Sequence, residues 1–186
     1  MRKIIMIFVI ATFAMVNANA QNAGRGNVQQ SSSNIYVGGG IVFESTSDET
    51  AIAVVPEIGY QKSEKWGIGA RFGFGSQGSG DSKYTIISFK PYVRQNIMSF
   101  GKIDLIFDYQ LLYQNEGVKD NKTNTFGLGV SPGLSVKLNN SLSVVTHLGV
   151  IGYTSSKLDV EGAEAVNKFS VKAGTENLGL SIYYNF

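Results

Sequence analysis

The chain contains no cysteine, which excludes disulfides, thiolate catalysis and cysteine-held metal centres together. With a single histidine, His147, it also lacks material for a histidine-built metal site. Proline is reduced to 3 residues and tryptophan to 1. After residue 20 no apolar run approaches the roughly 20 residues that a membrane-spanning helix needs. Neither sign of charge dominates: 16 Lys and Arg face 14 Asp and Glu, for a net +2. Removing Arg2 and Lys3 takes that net charge to 0, so nothing here attracts nucleic acid.

What is present begins with an export signal. Met1-Arg2-Lys3 is a positive start, Ile4 to Val16 is apolar except for Thr12, and Ala18-Asn19-Ala20 is a small-x-small cleavage pattern. Residues 1–20 read as a secretory signal peptide cleaved near Ala20. No cysteine follows, so lipid attachment at the new terminus is not expected. Residues 21–33, rich in Gln, Asn and Ser, read as a polar periplasmic tail. Residues 34–186 form the remaining domain, and without a spanning helix it can enter a membrane only as a closed barrel.

The pattern of that domain is alternation. At its end Leu178, Leu180, Ile182, Tyr184 and Phe186 make one apolar row, separated by small or polar residues, which is a strand with one greasy and one wet face. Similar periodicity predicts strands over 34–44, 51–61, 65–75, 84–96, 102–114, 124–138, 141–154 and 169–186. Connections near 61–64, 97–101 and 139–140 are short, whereas those near 45–50, 76–83, 115–123 and 155–168 are longer and polar. Short turns at one end and long loops at the other predict an all-β, eight-stranded antiparallel up-and-down transmembrane β-barrel.

The phase of the alternation assigns faces. Outward rows include Ile35, Val37 and Ile41; Ile52, Val54 and Ile58; Ile103, Leu105 and Phe107; and Leu142, Val144, Leu148 and Val150. On this face Tyr60, Trp66 and Phe186 fall at the short-turn end, and Phe43, Phe74, Tyr113 and Phe126 at the loop end. These are two aromatic girdles, as membrane interfaces favour. The inward face carries Glu44, Glu57, Asp104 and Asp108 against Arg71, Lys90, Arg94 and Lys137, together with many glycines. The interior of an eight-stranded barrel is just wide enough for side chains to fill, so these charges predict a bore plugged by ion pairs. Pro56, Pro91 and Pro132 all fall mid-strand on the outward face, each short of a turn, where a ring of β-bulges would accommodate them.

The stretch Pro56-Glu57-Ile58-Gly59-Tyr60 and the ending Leu178–Phe186 resemble the small outer-membrane proteins with an OmpA/OmpX/OmpW-like barrel domain, of the kind common in Bacteroidota. The resemblance spans the mature chain and implies residence in the cell outer membrane. It implies that the terminal row Leu178, Leu180, Ile182, Tyr184 and Phe186 is read by the barrel-insertion machinery. Outer-membrane lipids are the other implied partner.

Candidate chemical sites do not assemble. His147 has no second ligand or orienting partner at a useful spacing, and Ser143, four residues away, is unmarked as a nucleophile. Asp104 and Asp108 lie about 13 Å apart along a strand, too far for paired carboxylates. Gly38-Gly39-Gly40 lacks the Lys-Ser/Thr of a phosphate loop. The acidic stretch Asp159–Glu164 reads as a solvated loop. No catalytic residue, cofactor or metal site is expected. The expected function is a non-enzymatic structural or surface-interaction role, with an unidentified extracellular ligand at the loops. A narrow channel or carrier for small apolar molecules is the alternative, and an outer-membrane lipid enzyme ranks below both.

Overall fold

The computed structural model describes residues 34–45, 50–77, 84–118, 121–160, 162–173 and 179–186. The division of residues 1–33 into signal and tail therefore lies outside the described residues. Ten strand segments form one antiparallel sheet: β1 (Ile35–Ser45), β2 (Thr50–Gln61), β3 (Trp66–Gln77), β4 (Tyr84–Phe100), β5 (Ile103–Val118), β6 (Asn121–Lys137), β7 (Leu142–His147), β8 (Gly149–Leu158), β9 (Val166–Ala173) and β10 (Gly179–Asn185). From β1 to β6 each segment pairs with the next. β6 then pairs with β7 near the short turns and with β8 farther along. β10 joins β7 to β1, and β9 pairs with β8. Thus β7 with β8, and β9 with β10, each occupy one position around the wall, and the barrel closes with eight spans.

Several spans are longer than the alternation predicts. β4 continues to Phe100, β5 to Val118 and β8 to Leu158, while β6 starts at Asn121 and β9 at Val166. At the short-turn end 98–100 is ladder as well, and at the other end much of what reads as loop at 115–123 and 155–168 is hairpin ladder. Both faces of these outer ladders meet water, so the polar/apolar contrast that reveals a strand disappears although the backbone pairing persists. By contrast β1, β2 and β3 have only 11, 12 and 12 residues, so the wall is uneven. β8 and β9 pair along Gly149–Ser156, and no ladder joins β9 to β1 among the described residues.

The prolines are accommodated in two ways rather than by a ring of bulges. Opposite Pro132 the partner strand slips by one residue: Gly133 pairs with His147, but Val130 pairs with Ile151. Leu148 N–H bonds the Pro132 carbonyl at 2.9 Å, and Gly149 takes a φ of 140° that favours glycine. This bulge reverses the phase of β8, so its outward row is Ile151 and Tyr153 in place of Val150. At Pro56 and Pro91 the register holds on both sides. The ladder to the following strand simply skips two pairs there, on the side to which the missing N–H would point. A further slip, between Asn96 and Met98, lies near the next short turn.

Outside, the wall is apolar. Ile41, Ile58, Leu111, Leu128, Leu180 and Ile182 are all more than half exposed. In water this would be an aggregating surface, and in a bilayer it is the lipid contact. Tyr60, Trp66 and Phe186 stand on this face toward the short turns, and Phe74, Tyr113 and Phe126 toward the long hairpins. The side chain of Phe43 lies outside the described residues, as does Leu178 altogether. β9 exposes Phe169 and Val171, and β10 exposes Leu180 and Ile182; the expected connection at 174–178 lies outside the described residues.

Candidate functional site: the interior charge cluster

Inside the barrel, neighbouring strands place charges of opposite sign directly across from each other. Glu57 on β2 faces Arg71 on β3, and Arg94 on β4 faces Asp108 on β5. Closure then brings these pairs together across the bore. Arg71 Nε donates to Glu57 Oε2 at 2.9 Å, and its Nη2 reaches Asp108 Oδ2. Arg94 grips Asp108 with two bonds, from Nε at 2.8 Å and from Nη2 at 2.9 Å. Its Nη2 also lies 3.5 Å from Glu57 Oε1. Two guanidiniums and two carboxylates therefore neutralise one another, and all four residues are buried.

Three tyrosines complete the cluster. The hydroxyls of Tyr92 and Tyr183 both donate to Glu57, the latter at 2.7 Å. Tyr36 and Tyr92 share a hydroxyl–hydroxyl bond of 2.5 Å. The Arg71 guanidinium lies 4.2 Å from the centroid of the Tyr92 ring, within cation–π range. Each ring fits because its cross-strand partner is a glycine: Tyr36 opposite Gly59, Tyr92 opposite Gly69 and Tyr183 opposite Gly38. A Cβ added at any of these glycines would collide with the facing tyrosine.

His147 reaches the cluster from β7. Its Nε2 lies 2.8 Å from Asp108 Oδ2 and 3.1 Å from Arg71 Nη2. A neutral imidazole nitrogen either donates or accepts, so this atom serves one of those neighbours at a time. On the short-turn side Tyr36, Ile106, Val145 and Tyr183 form a small apolar core. Together these side chains meet one another across the bore.

The other inward charges are placed differently. Asp104 pairs with Lys137 at 2.9 Å near the short turns, where the lysine is 56% exposed, so the pair contributes little to stability. Lys90 is half-buried and stands opposite Arg71 in the β3/β4 ladder. The Glu44 side chain lies outside the described residues. Charge and phase did not single out Tyr36, Tyr92 and Tyr183 as cluster members. Their signal was the tyrosine–glycine pairing, which becomes visible only once register is known. Asp108 and Glu57 spend their oxygens on guanidinium, imidazole and phenol groups. Among the described residues no cluster of acids and histidine is arranged to hold a metal.

A closed antiparallel barrel, apolar without and polar within, defines the class of eight-stranded transmembrane β-barrels. Solved structures of that class are similar to it. Neisserial surface protein A matches 84% of this chain and 100% of its own, with 14% identity and a TM-score of 0.56. The outer membrane protein OprG from Pseudomonas aeruginosa matches 86% of this chain and 99% of its own, with 12% identity and a TM-score of 0.51. At such identities the likeness is one of fold. The sequence matches no protein-family model and no curated protein.

Proposed function

We propose that this chain is a non-enzymatic outer-membrane protein of the OmpA/OmpX/OmpW-like kind, working through its wall and outer hairpins rather than its bore. The observation that carries this reading is the plug: two arginines, two carboxylates and three tyrosines hold one another across the barrel. A path for ions would have to break several buried, charge-assisted bonds at once. The outer-membrane proteins of similar fold and the export signal support the location, and the length of the β5–β6 and β8–β9 hairpins supports a surface role.

The test is conductance of the mature chain, refolded and inserted in a planar bilayer. Heat-modifiable folded protein that gives no current steps is the expected result. Reproducible steps would overturn the plugged reading and favour a narrow channel. Passage of a small apolar molecule is the alternative reading. Silence in the bilayer, combined with uptake of an apolar dye into vesicles holding the folded protein, would select it.

A further inference from the structure

Three nitrogens converge on one oxygen of Asp108. Its Oδ2 accepts from Arg71 Nη2 and from Arg94 Nη2, the latter at 2.9 Å, and lies 2.8 Å from His147 Nε2. An ionised carboxylate offers about two lone-pair sites on each oxygen, so Oδ2 is oversubscribed if all three donate. The same His147 Nε2 lies 3.1 Å from Arg71 Nη2. An imidazole nitrogen carries either a lone pair or a proton. With a lone pair, Nε2 accepts from Arg71 and faces the Asp108 oxygen with no hydrogen between them. With a proton, it donates to Asp108 and turns its N–H against an N–H of Arg71. When both ring nitrogens are protonated, two cations meet at that distance.

Placement makes this choice answer to pH. The imidazole side chain is 14% exposed whereas that of Asp108 is fully buried, so a proton reaches the cluster first at His147. The charged groups around the ring are Asp108 from β5, Arg71 from β3 and Arg94 from β4. Glu57 of β2 and the Tyr183 hydroxyl of β10 stand one bond farther away. The ladder partners of His147 are glycines, Gly133 on β6 and Gly179 on β10. A Cβ at Gly133 would come within 3.2 Å of His147 Cδ2, so its absence leaves the ring room to turn. With the imidazole neutral, two guanidiniums balance two carboxylates. An imidazolium leaves one positive charge in excess in a buried cluster, which is costly unless a cation moves away.

We infer that His147 is a pH-operated latch on the plug: once protonated, it takes the Asp108 oxygen that Arg71 holds and releases Arg71. The released guanidinium keeps its Nε bond to Glu57 and a 3.3 Å bond from Nη1 to Gln110. Arg94 keeps the other Asp108 oxygen through Nε. What opens is the charged tie between β3 and β5, leaving only a neutral acceptor to hold Arg71 on that side. The inference rests on the reading of a plugged bore and goes beyond it, making the plug conditional on neutral pH.

The experiment records planar-bilayer current from the refolded mature chain and from His147→Gln, at about pH 7.5 and about pH 5. At the lower pH an ordinary imidazole is largely charged while ordinary carboxylates remain mostly ionised. Because the chain has one histidine, the imidazole NMR signals of micelle-held protein report the state of His147 directly. The expected result is silence at neutral pH and discrete steps in acid, with the current and the imidazole signal sharing one midpoint. His147→Gln, which takes up no proton there, should be silent at both, and a heat-modifiable band on gels checks that it folds. An imidazole that stays neutral in acid, or a charged one without current, overturns the latch and leaves the plug standing. Acid steps that persist in His147→Gln, or wild-type midpoints that differ, overturn it as well. Steps from the wild type at neutral pH sink the plugged reading itself.

Discussion

The ring of Tyr92 lies over Gly69, its direct partner across the β3/β4 ladder, and its hydroxyl bonds Glu57 on the next strand. A glycine thus makes room for the phenol that helps hold a buried carboxylate. The dependence is steric. A Cβ at position 69 would stand 2.5 Å from Tyr92 Cζ and 2.8 Å from the Ile58 carbonyl oxygen.

Gly69→Val is therefore expected to displace Tyr92 and destabilise the barrel by about 1–3 kcal/mol, the usual cost of overpacking. Urea unfolding in lipid vesicles, followed by the emission of Trp66, the single tryptophan, measures it. Tyr92→Phe, which keeps the ring and removes the hydroxyl, should cost less, about 1 kcal/mol. A Gly69→Val midpoint equal to wild type would mean that the ring moves aside freely.

Arg71 and His147 both contact Asp108, yet their removal should differ. Arg71→Ala takes the sole described guanidinium bonded to both Glu57 and Asp108 through hydrogen bonds, leaving buried carboxylates undercompensated at about 3–5 kcal/mol. His147→Ala leaves Asp108 gripped by both arginines and should cost about 1 kcal/mol. The same urea titration gives the order. Equal losses would show that the imidazole is as necessary to the plug as the guanidinium.

The depth of the bilayer on β6 and β8 can be read with charge. Leu128 is 61% exposed on the outer wall, and Leu128→Arg should destabilise the inserted barrel by about 2–4 kcal/mol if it lies at the bilayer midplane. Ser155→Arg, two residues beyond Leu128's partner Tyr153 toward the long hairpin, should cost about 0–1 kcal/mol. Similar penalties at both positions would mean that the hydrocarbon edge lies elsewhere.

Some of this molecule is legible in one dimension. Period-two alternation reveals four hairpins and the face of each residue, because a pleated strand sends neighbours to opposite sides whatever it pairs with. It fails where both faces meet the same solvent, so the ladders at 115–118, 121–123 and 155–158 look like loop. It also fails where the backbone inserts a residue: the bulge at Leu148 and Gly149 turns Val150 away from the outward row and brings Ile151 into it. Pro132 hints at such a site, but Pro56 and Pro91 carry the same hint and cause no slip.

By itself the sequence determined the closed all-β architecture and the sorting of apolar and charged residues to opposite faces. Those follow from local patterning and from the rule that a spanning backbone must satisfy all its hydrogen bonds. Height is another matter. Alternation says that Glu57, Arg71, Arg94, Asp108 and His147 share a face, not that they share a level. The tertiary structure decided that, because register and barrel stagger determine which residues of distant strands meet across the bore. Asp104 and Lys137 lie on the same face and meet apart from the cluster, near the short turns.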